Sequence, residues 1–400
     1  MKRAFLAAVI GALVHFGSLS AGAQNQFPLK YDEAGPDRSP IALAGRQVVQ
    51  AIPDKPAGMV LPQDAVGKVA YFKTSVGGHE ALFLLDSSSP PKLYVASGGK
   101  RDLSHEPAFP GKPSQGMIVY GPISLNTPGK DTTRITFSIE TFVGRQGPTY
   151  IIMCLAGYRS GTVQLNGESY KVAVADANFD GRYDRVLGFP LSLASKPHCD
   201  VIAFDLNNNG HFDFSPKDPE IWPLTKMIEV KGTYYSVNIA TDGSSISMEK
   251  VTPQFGTLDV GHPKAELSLF SESGPHHLKD SGGKWQLPAG KYAAWQIQLT
   301  RTDTAGAQWI LSSGRVTGEL QNFEILPGQT LTAKLGTPLT VKTDVAQQGD
   351  SVSIGLSLLE QSGVEYTPGA QKNGQRVPEP RLKILDEAGK VLAAGQFEYG

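Results

Sequence analysis

Charge and sulfur are both scarce in this 400-residue chain. Only 19% of the residues are charged, 37 basic against 38 acidic, for a formal net charge of −1. Such a balance lacks the field that gathers nucleic acid or an anionic membrane surface, so no nucleic-acid partner is expected. Cysteine occurs only at positions 154 and 199. Two cysteines without a histidine partner motif do not make a zinc site. They form either one disulfide or two buried thiols, and spacing does not choose. Beyond the N-terminus no apolar run approaches the ~18 residues of a membrane-spanning helix. No 12-residue stretch there holds a 3.6-residue apolar period, so helix is not expected.

Catalytic signatures are missing as well. The serine elbow G-x-S-x-G is absent, since Gly157, Ser160 and Gly161 have the wrong spacing. Gly283-Lys284 lacks both the first glycine and the following hydroxyl of a phosphate loop. His79-Glu80 and His105-Glu106 lack the second histidine of a zinc-protease helix. His276-His277 reads as part of a solvated, turn-like loop, and Trp222, Trp285, Trp295 and Trp309 read as β-domain core rather than a sugar-stacking platform.

Glycine (44) and proline (28) together make up 18% of the chain, against a usual ~12%. Both break helices and punctuate short strands. The first residues, MKRAFLAAVIGALVHFGSLSAGA, have a short positive start, an apolar stretch and an A-x-A end. They read as a secretory signal at 1–23 cleaved after Ala23, which leaves a secreted or periplasmic protein with no membrane span. Residues 24–60 are polar and proline-punctuated and read as a linker with at most an edge strand. From Val69 on, short runs such as VAYFKTSV, EALFLLD, TYIIMCLAGY, KVAVAD and DVIAFD are alternating or solidly apolar and end in Gly, Pro, Asn or Asp. Thr241-Asp242-Gly243 is a hairpin-turn signal. The fold expected is all-β and multi-domain: a β domain at 61–252, a β-sandwich at 253–336, and at 337–400 a second β module or a continuation of the sandwich.

One motif carries chemistry, and it occurs twice. Asp176, Asn178, Asp180, Gly181, Arg182, Tyr183 and Asp184 fit D-x-N-x-[DN]-G-x-[aromatic]-D. Asp205, Asn207, Asn209, Gly210, His211, Phe212 and Asp213 fit it again, 29 residues on. Calcium is a hard cation that takes ~6–8 oxygens at about 2.3–2.6 Å. Side-chain oxygens at loop positions 1, 3 and 5 wrap one side of the ion, glycine at 6 makes the bend, and the carbonyl of residue 7 (Arg182 or His211) turns inward. Position 9, Asp184 or Asp213, contributes directly or through water, while the aromatic at 8 faces the core. The competing reading is an Asx-rich turn, which favours the same residues. Two matches, each following a strand, favour calcium. Asn209 in place of an acid lowers the charge of the second loop, which Asp218 and Glu220 downstream could complete. A third, degenerate copy around Leu93–Ser104 lacks the oxygens and reads as a turn.

These residues resemble EF-hand and dockerin-type loops over nine positions. The departure is at position 12, where a bidentate Glu is replaced by Leu187 and Pro216; the last ligand must come from elsewhere. With the LPAGKY turn (287–292), similar to those of transthyretin-like and carboxypeptidase-regulatory-like sandwiches, the chain resembles a loosely defined group of exported bacterial proteins. The resemblance implies a β scaffold with calcium loops and Ig-like sandwich modules, and no known catalytic activity. The functional expectation is a non-enzymatic calcium-binding β protein with a structural or binding role at the envelope or outside the cell, its partner a glycan or an envelope protein. The alternative is a carbohydrate-active enzyme or its accessory carbohydrate-binding module.

Overall fold

The structure, a computed structural model, describes residues 26–33, 45–126, 134–142, 150–192, 198–213, 220–279, 281–313, 316–366 and 369–398. The expected signal segment and cleavage site lie outside the described residues. The chain is all-β and built from several sheets. Among the described residues the one helical turn is the 3-10 segment Gly318–Leu320, and no helix is long and apolar enough to cross a membrane.

Residues up to about 251 form three sheets. A nine-stranded antiparallel sheet has Arg46–Ile52 near its middle, paired with Tyr150–Leu155 on one side and Val69–Val76 on the other. This corrects the linker reading of 24–60. RQVVQAI is polar at its ends, yet Val49 is buried in the core, and two neighbouring strands satisfy the backbone. Gln26–Pro28 and Lys30–Glu33 also pair, as edge strands of two further sheets. One is the four-stranded sheet ending at Met227–Val230; the other has five strands in the order Ile221–Pro223, Val201–Phe204, Glu168–Ala175, Gly157–Leu165, Lys30–Glu33.

The five-stranded sheet positions the candidate site, and its sequence shows why it is buried on both faces. Ala173, Ala175, Val201 and Ala203 pack with Phe83, Phe137 and Met153 of the nine-stranded sheet. The alternate residues Val172, Val174, Ile202 and Phe204 pack with Ile228, Val237 and Met248 of the four-stranded sheet. A strand buried on both faces has no polar side, which accounts for the unbroken runs KVAVA and VIAF. Small alanines face the nine-stranded sheet. Cys154 and Cys199 are both free and buried. Burial pushes each thiol up to about 12, with help from Glu140 for Cys154 and Asp200 for Cys199, so neither is a ready nucleophile.

Beyond Phe255 a second core forms. The strands Lys284–Pro288, Phe255–Asp259 and Thr330–Thr332 make one sheet, and a seven-stranded sheet built around Gly290–Thr302 makes the other. Leu258, Leu267, Ile297, Leu299 and Tyr366 share the core between them. Gly369–Lys372 pairs with Gln308–Ser312, so part of the 337–400 stretch extends this sandwich. The hairpins Leu339–Gln348/Ser351–Glu360 and Arg381–Leu385/Val391–Gln396 each form a two-stranded sheet, the first bridged at Leu359 to Glu365.

His276 departs from its reading as a solvated loop residue. It lies in the strand Gly274–Leu278, against Tyr292 at 5.7 Å between ring centroids, with Nε2 2.9 Å from Ser271 Oγ and 3.0 Å from Ser273 Oγ. Burial lowers its pKa to about 4; the charged neighbour on the same turn is Glu272, whose carboxylate accepts the Lys291 amide. An unfolded histidine titrates near ~6.5. The folded chain therefore binds fewer protons between about pH 6.5 and 4. The stabilisation from neutral His276 is present above ~6.5 and is lost as pH falls toward 4. We expect denaturant melts of His276→Gln to lack a pH-dependent loss of about 2–3 kcal/mol that the parent shows over that window. Identical slopes would remove His276 from the account.

Candidate metal centre

The two repeated loops adopt the same local geometry. In the first, Asp176 Oδ1 accepts the Asp180 amide (3.0 Å) and Oδ2 accepts the Gly181 amide (2.8 Å). Asn178 Oδ1 accepts the Asp180 amide (2.9 Å), and Asp180 Oδ1 accepts the Arg182 amide (2.9 Å). In the second, Asp205 accepts the amides of Asn209 (3.0 Å) and Gly210 (2.8 Å), Asn207 Oδ1 accepts that of Asn209 (2.9 Å), and Asn209 Oδ1 that of His211 (2.8 Å). Both loops turn left-handed at position 4 (Phe179 φ 60°, Asn208 φ 57°) and position 6 (Gly181 φ 85°, Gly210 φ 87°). An aromatic such as Phe179 adopts positive φ only where its surroundings over-determine it. Phe179 is buried, edge-on to Phe137, and its carbonyl accepts the Gly77 amide at 2.7 Å. The position-8 aromatics, Tyr183 and Phe212, are buried in opposite cores.

Each loop connects adjacent antiparallel strands, so the two lie at opposite ends of Val201–Phe204, roughly 17 Å apart at ~3.3 Å per residue. They are separate centres, and they differ in depth. The first is docked on the hairpin that the Thr241-Asp242-Gly243 signal forecasts. Tyr183 N donates to Thr241 O (3.0 Å), and Thr241 Oγ1 donates to Asp184 Oδ2 (3.0 Å). Gly243, at φ 71°, lies flat against the Tyr183 ring, where a Cβ would come within 2.7 Å. The second loop is exposed from Asn207 to His211. Lys171 holds it, donating to Gly210 O at 3.0 Å.

Asp200 is the residue that sequence reasoning missed. Ala175 pairs with Val201, which sets Asp200 directly across from Asp176. Both are buried, at 0% and 1% exposure. Asp200 Oδ2 accepts the Arg185 amide (2.8 Å), while Oδ1 is buried without a hydrogen-bond partner. Burial drives Asp176 up to about 7, with the negative charge of Asp180 adding to the shift. Burial and the charges of Asp176 and Asp180 drive Asp200 up to about 9, against the Arg185 and Ala177 amides, which favour its charged form. The guanidinium groups nearby are turned to the rim. Arg185 Nε pairs with Asp180 Oδ2 (2.8 Å), and Arg182 forks onto Asp184 (3.0 and 2.8 Å). Burial opposes ionisation of Asp184, but Arg182 and Thr241 hold it below the usual carboxylate range.

The counterpart of Asp200 in the second loop is Glu220, and its chemistry differs. It precedes the next return strand, Ile221–Pro223, as Asp200 precedes Val201–Phe204. Glu220 Oε1 accepts the amides of Leu206 (2.8 Å) and Asn207 (3.1 Å), and Oε2 accepts that of Asp213 (2.9 Å). Asp213 in turn accepts the side-chain amides of Asn207 (3.0 Å) and Asn209 (2.8 Å). Every carboxylate oxygen of Glu220 is thus satisfied by protein. Asp218 and Pro216 lie outside the described residues. Leu187, at the EF-hand glutamate position, is buried core and cannot serve as a ligand.

Among the described residues, no group of three or more His, Cys, Asp or Glu is arranged to hold a metal ion. The first loop nevertheless fits a hard cation on one observation. A buried carboxylate oxygen lacks a partner beside a second buried carboxylate, and a bound cation inverts the pKa logic of such a pair. The degenerate third copy is a turn, with Asp102 Oδ1 accepting the Ser104 amide. The core reading of the tryptophans holds for Trp222 alone, which stacks on Phe204; Trp295 stacks on Phe270 but is 38% exposed, and Trp285 and Trp309 are half-buried. No protein-family profile, curated protein or solved structure matches the chain.

Proposed function

We propose that this chain is an exported, non-enzymatic calcium-binding β protein with a structural or binding role at the cell envelope or outside the cell. The first loop is the principal site, with Asp176, Asn178, Asp180, the Arg182 carbonyl, Asp184 and Asp200 as its oxygens. Asp205, Asn207, Asn209, the His211 carbonyl and Asp213 form a second site of lower charge. The unpartnered, buried Oδ1 of Asp200 carries this reading. Two buried carboxylates face each other with no internal cation between them, and a divalent ion relieves that cost. Binding would exchange the exposed Arg182 and Arg185 pairs, each worth ~1 kcal/mol or less, for ion–carboxylate contacts in a drier site. The ion would clamp the strand ends at Ala175 and Val201 to the hairpin at Thr241, stiffening the sheet between the two cores. Export rests on the N-terminal sequence, and extracellular calcium suits a site of moderate affinity.

The test is a calcium titration of EDTA-treated protein, followed by calorimetry and thermal unfolding. Calcium at a hundred times Kd should stabilise by about 3 kcal/mol. No heat of binding and no shift in midpoint would refute the calcium assignment.

A further inference from the structure

The C-terminal sandwich carries a cleft of about 920 Å³ that none of the loop chemistry uses. Its walls are Leu299, Leu311, Leu335, Leu358 and Val377, brought together from the sandwich and from the hairpin that leaves it. That volume is near the top of the ~300–1,000 Å³ range of small-molecule sites. Its charges all have one sign. Lys264, Arg301 and Lys334 line the cleft, and no aspartate or glutamate does. Acids beside lining residues in the sequence are engaged elsewhere: Glu360 accepts the Gly336 and Ser362 amides, Asp303 accepts those of Ala305 and Ala307 and the Trp309 indole, and Asp259 pairs with Lys284. Strand pairing puts Lys264 across from Thr300, next in sequence to Arg301, whose Nη1 donates to Thr337 Oγ1 at 3.4 Å. An independent observation marks the same cleft: His262 Nδ1, in its wall, is buried without a hydrogen-bond partner.

An apolar trough with a cationic rim and an unsatisfied imidazole nitrogen is complementary to a molecule with one long apolar chain and one anionic end. We propose that this cleft binds a monomeric straight-chain carboxylate. The alkyl chain lies along the leucines, and the carboxylate sits at Lys264, Arg301 and Lys334. A carboxylate in place of solvent at this rim satisfies three cations that have no acid facing them within the cleft. The chain removes from water the surface of Leu311, Leu358 and Val377, which the sandwich leaves half-covered.

The experiment uses the full chain with octanoate, decanoate and dodecanoate below their micelle concentrations. Dodecanol, dodecyltrimethylammonium and anionic phospholipid vesicles serve as controls. Isothermal titration should show one saturable site for the carboxylates, tightening roughly fourfold per methylene. Dodecanol should bind at least tenfold more weakly, and the cationic amphiphile should not bind. The exposed pair Lys264→Glu and Lys334→Glu should lose at least tenfold for dodecanoate while keeping the parent melting curve. Trp309→Phe should remove the fluorescence change but keep the heat of binding, since Trp309 lines the cleft. Dodecanol binding as tightly as dodecanoate would overturn the proposal. So would indifference to charge reversal, a retained fluorescence change in Trp309→Phe, or binding to vesicles alone.

Discussion

Asp200→Asn should have opposite effects with and without calcium. In EDTA the variant should unfold about 1–2 kcal/mol later than the parent, because the amide spares the fold the cost of neutralising a buried acid next to Asp176. With calcium the order should reverse. Loss of a charged ligand should weaken binding at least a hundredfold, beyond the ~10–100-fold typical of residues that only orient ligands. Most of the calcium-dependent shift in melting midpoint should then disappear. The sign change separates two roles. If Asp200 merely caps the Arg185 amide, its replacement by Asn keeps an acceptor, and calcium should act on both proteins alike. If Asp200 closes the ion's shell, only the metal-bound form suffers. Equal calcium responses in parent and variant would confine Asp200 to the capping role, even if the loop itself binds the ion.

Asp200 also marks where sequence reading stops. The ligand pattern from Asp176 to Asp184 is legible because its geometry is local. Side-chain oxygens bond amides two to five residues on, and the glycine bend fixes the rest. Asp200 is 24 residues from Asp176, and only the pairing of Ala175 with Val201 brings the two together. A faint signal exists in hindsight: an acid stands immediately before each apolar return strand, Asp200 before VIAF and Glu220 before IW. The strands themselves were legible for a different reason. Burial of KVAVA and VIAF on both faces leaves no polar position, so the runs stand out. RQVVQAI was misread because its outward polar residues and neighbouring prolines mask a strand whose buried contribution centres on Val49. The cationic cleft has no local signature at all. Its walls come from positions between 260 and 377 and meet only through long-range packing.

Glu220→Ala should be the most damaging single change at the second loop, and calcium should not rescue it. Glu220 is 3% exposed and accepts three amides, those of Leu206, Asn207 and Asp213. Hydrogen bonds to a charged group contribute about 1.5–3 kcal/mol each, and truncation leaves the donors unpaired. The three share one carboxylate, so their losses do not add fully. A loss of about 3–5 kcal/mol in denaturant melts is expected. Glu220→Gln keeps one oxygen for Leu206 and Asn207 but turns an amide against the Asp213 N–H, and should lose about 1–2 kcal/mol. Both losses should be the same in EDTA and at calcium levels that saturate the first loop, because Glu220 holds the second loop's own amides, which an ion at the first loop does not replace. The loop would still carry Asp205, which accepts the backbone amides of Asn209 and Gly210, and Asp213, which accepts the side-chain amides of Asn207 and Asn209. Should calcium instead restore the stability of Glu220→Ala, the second loop would be the principal ion site. The ranking argued from the bare Oδ1 of Asp200 would then be reversed.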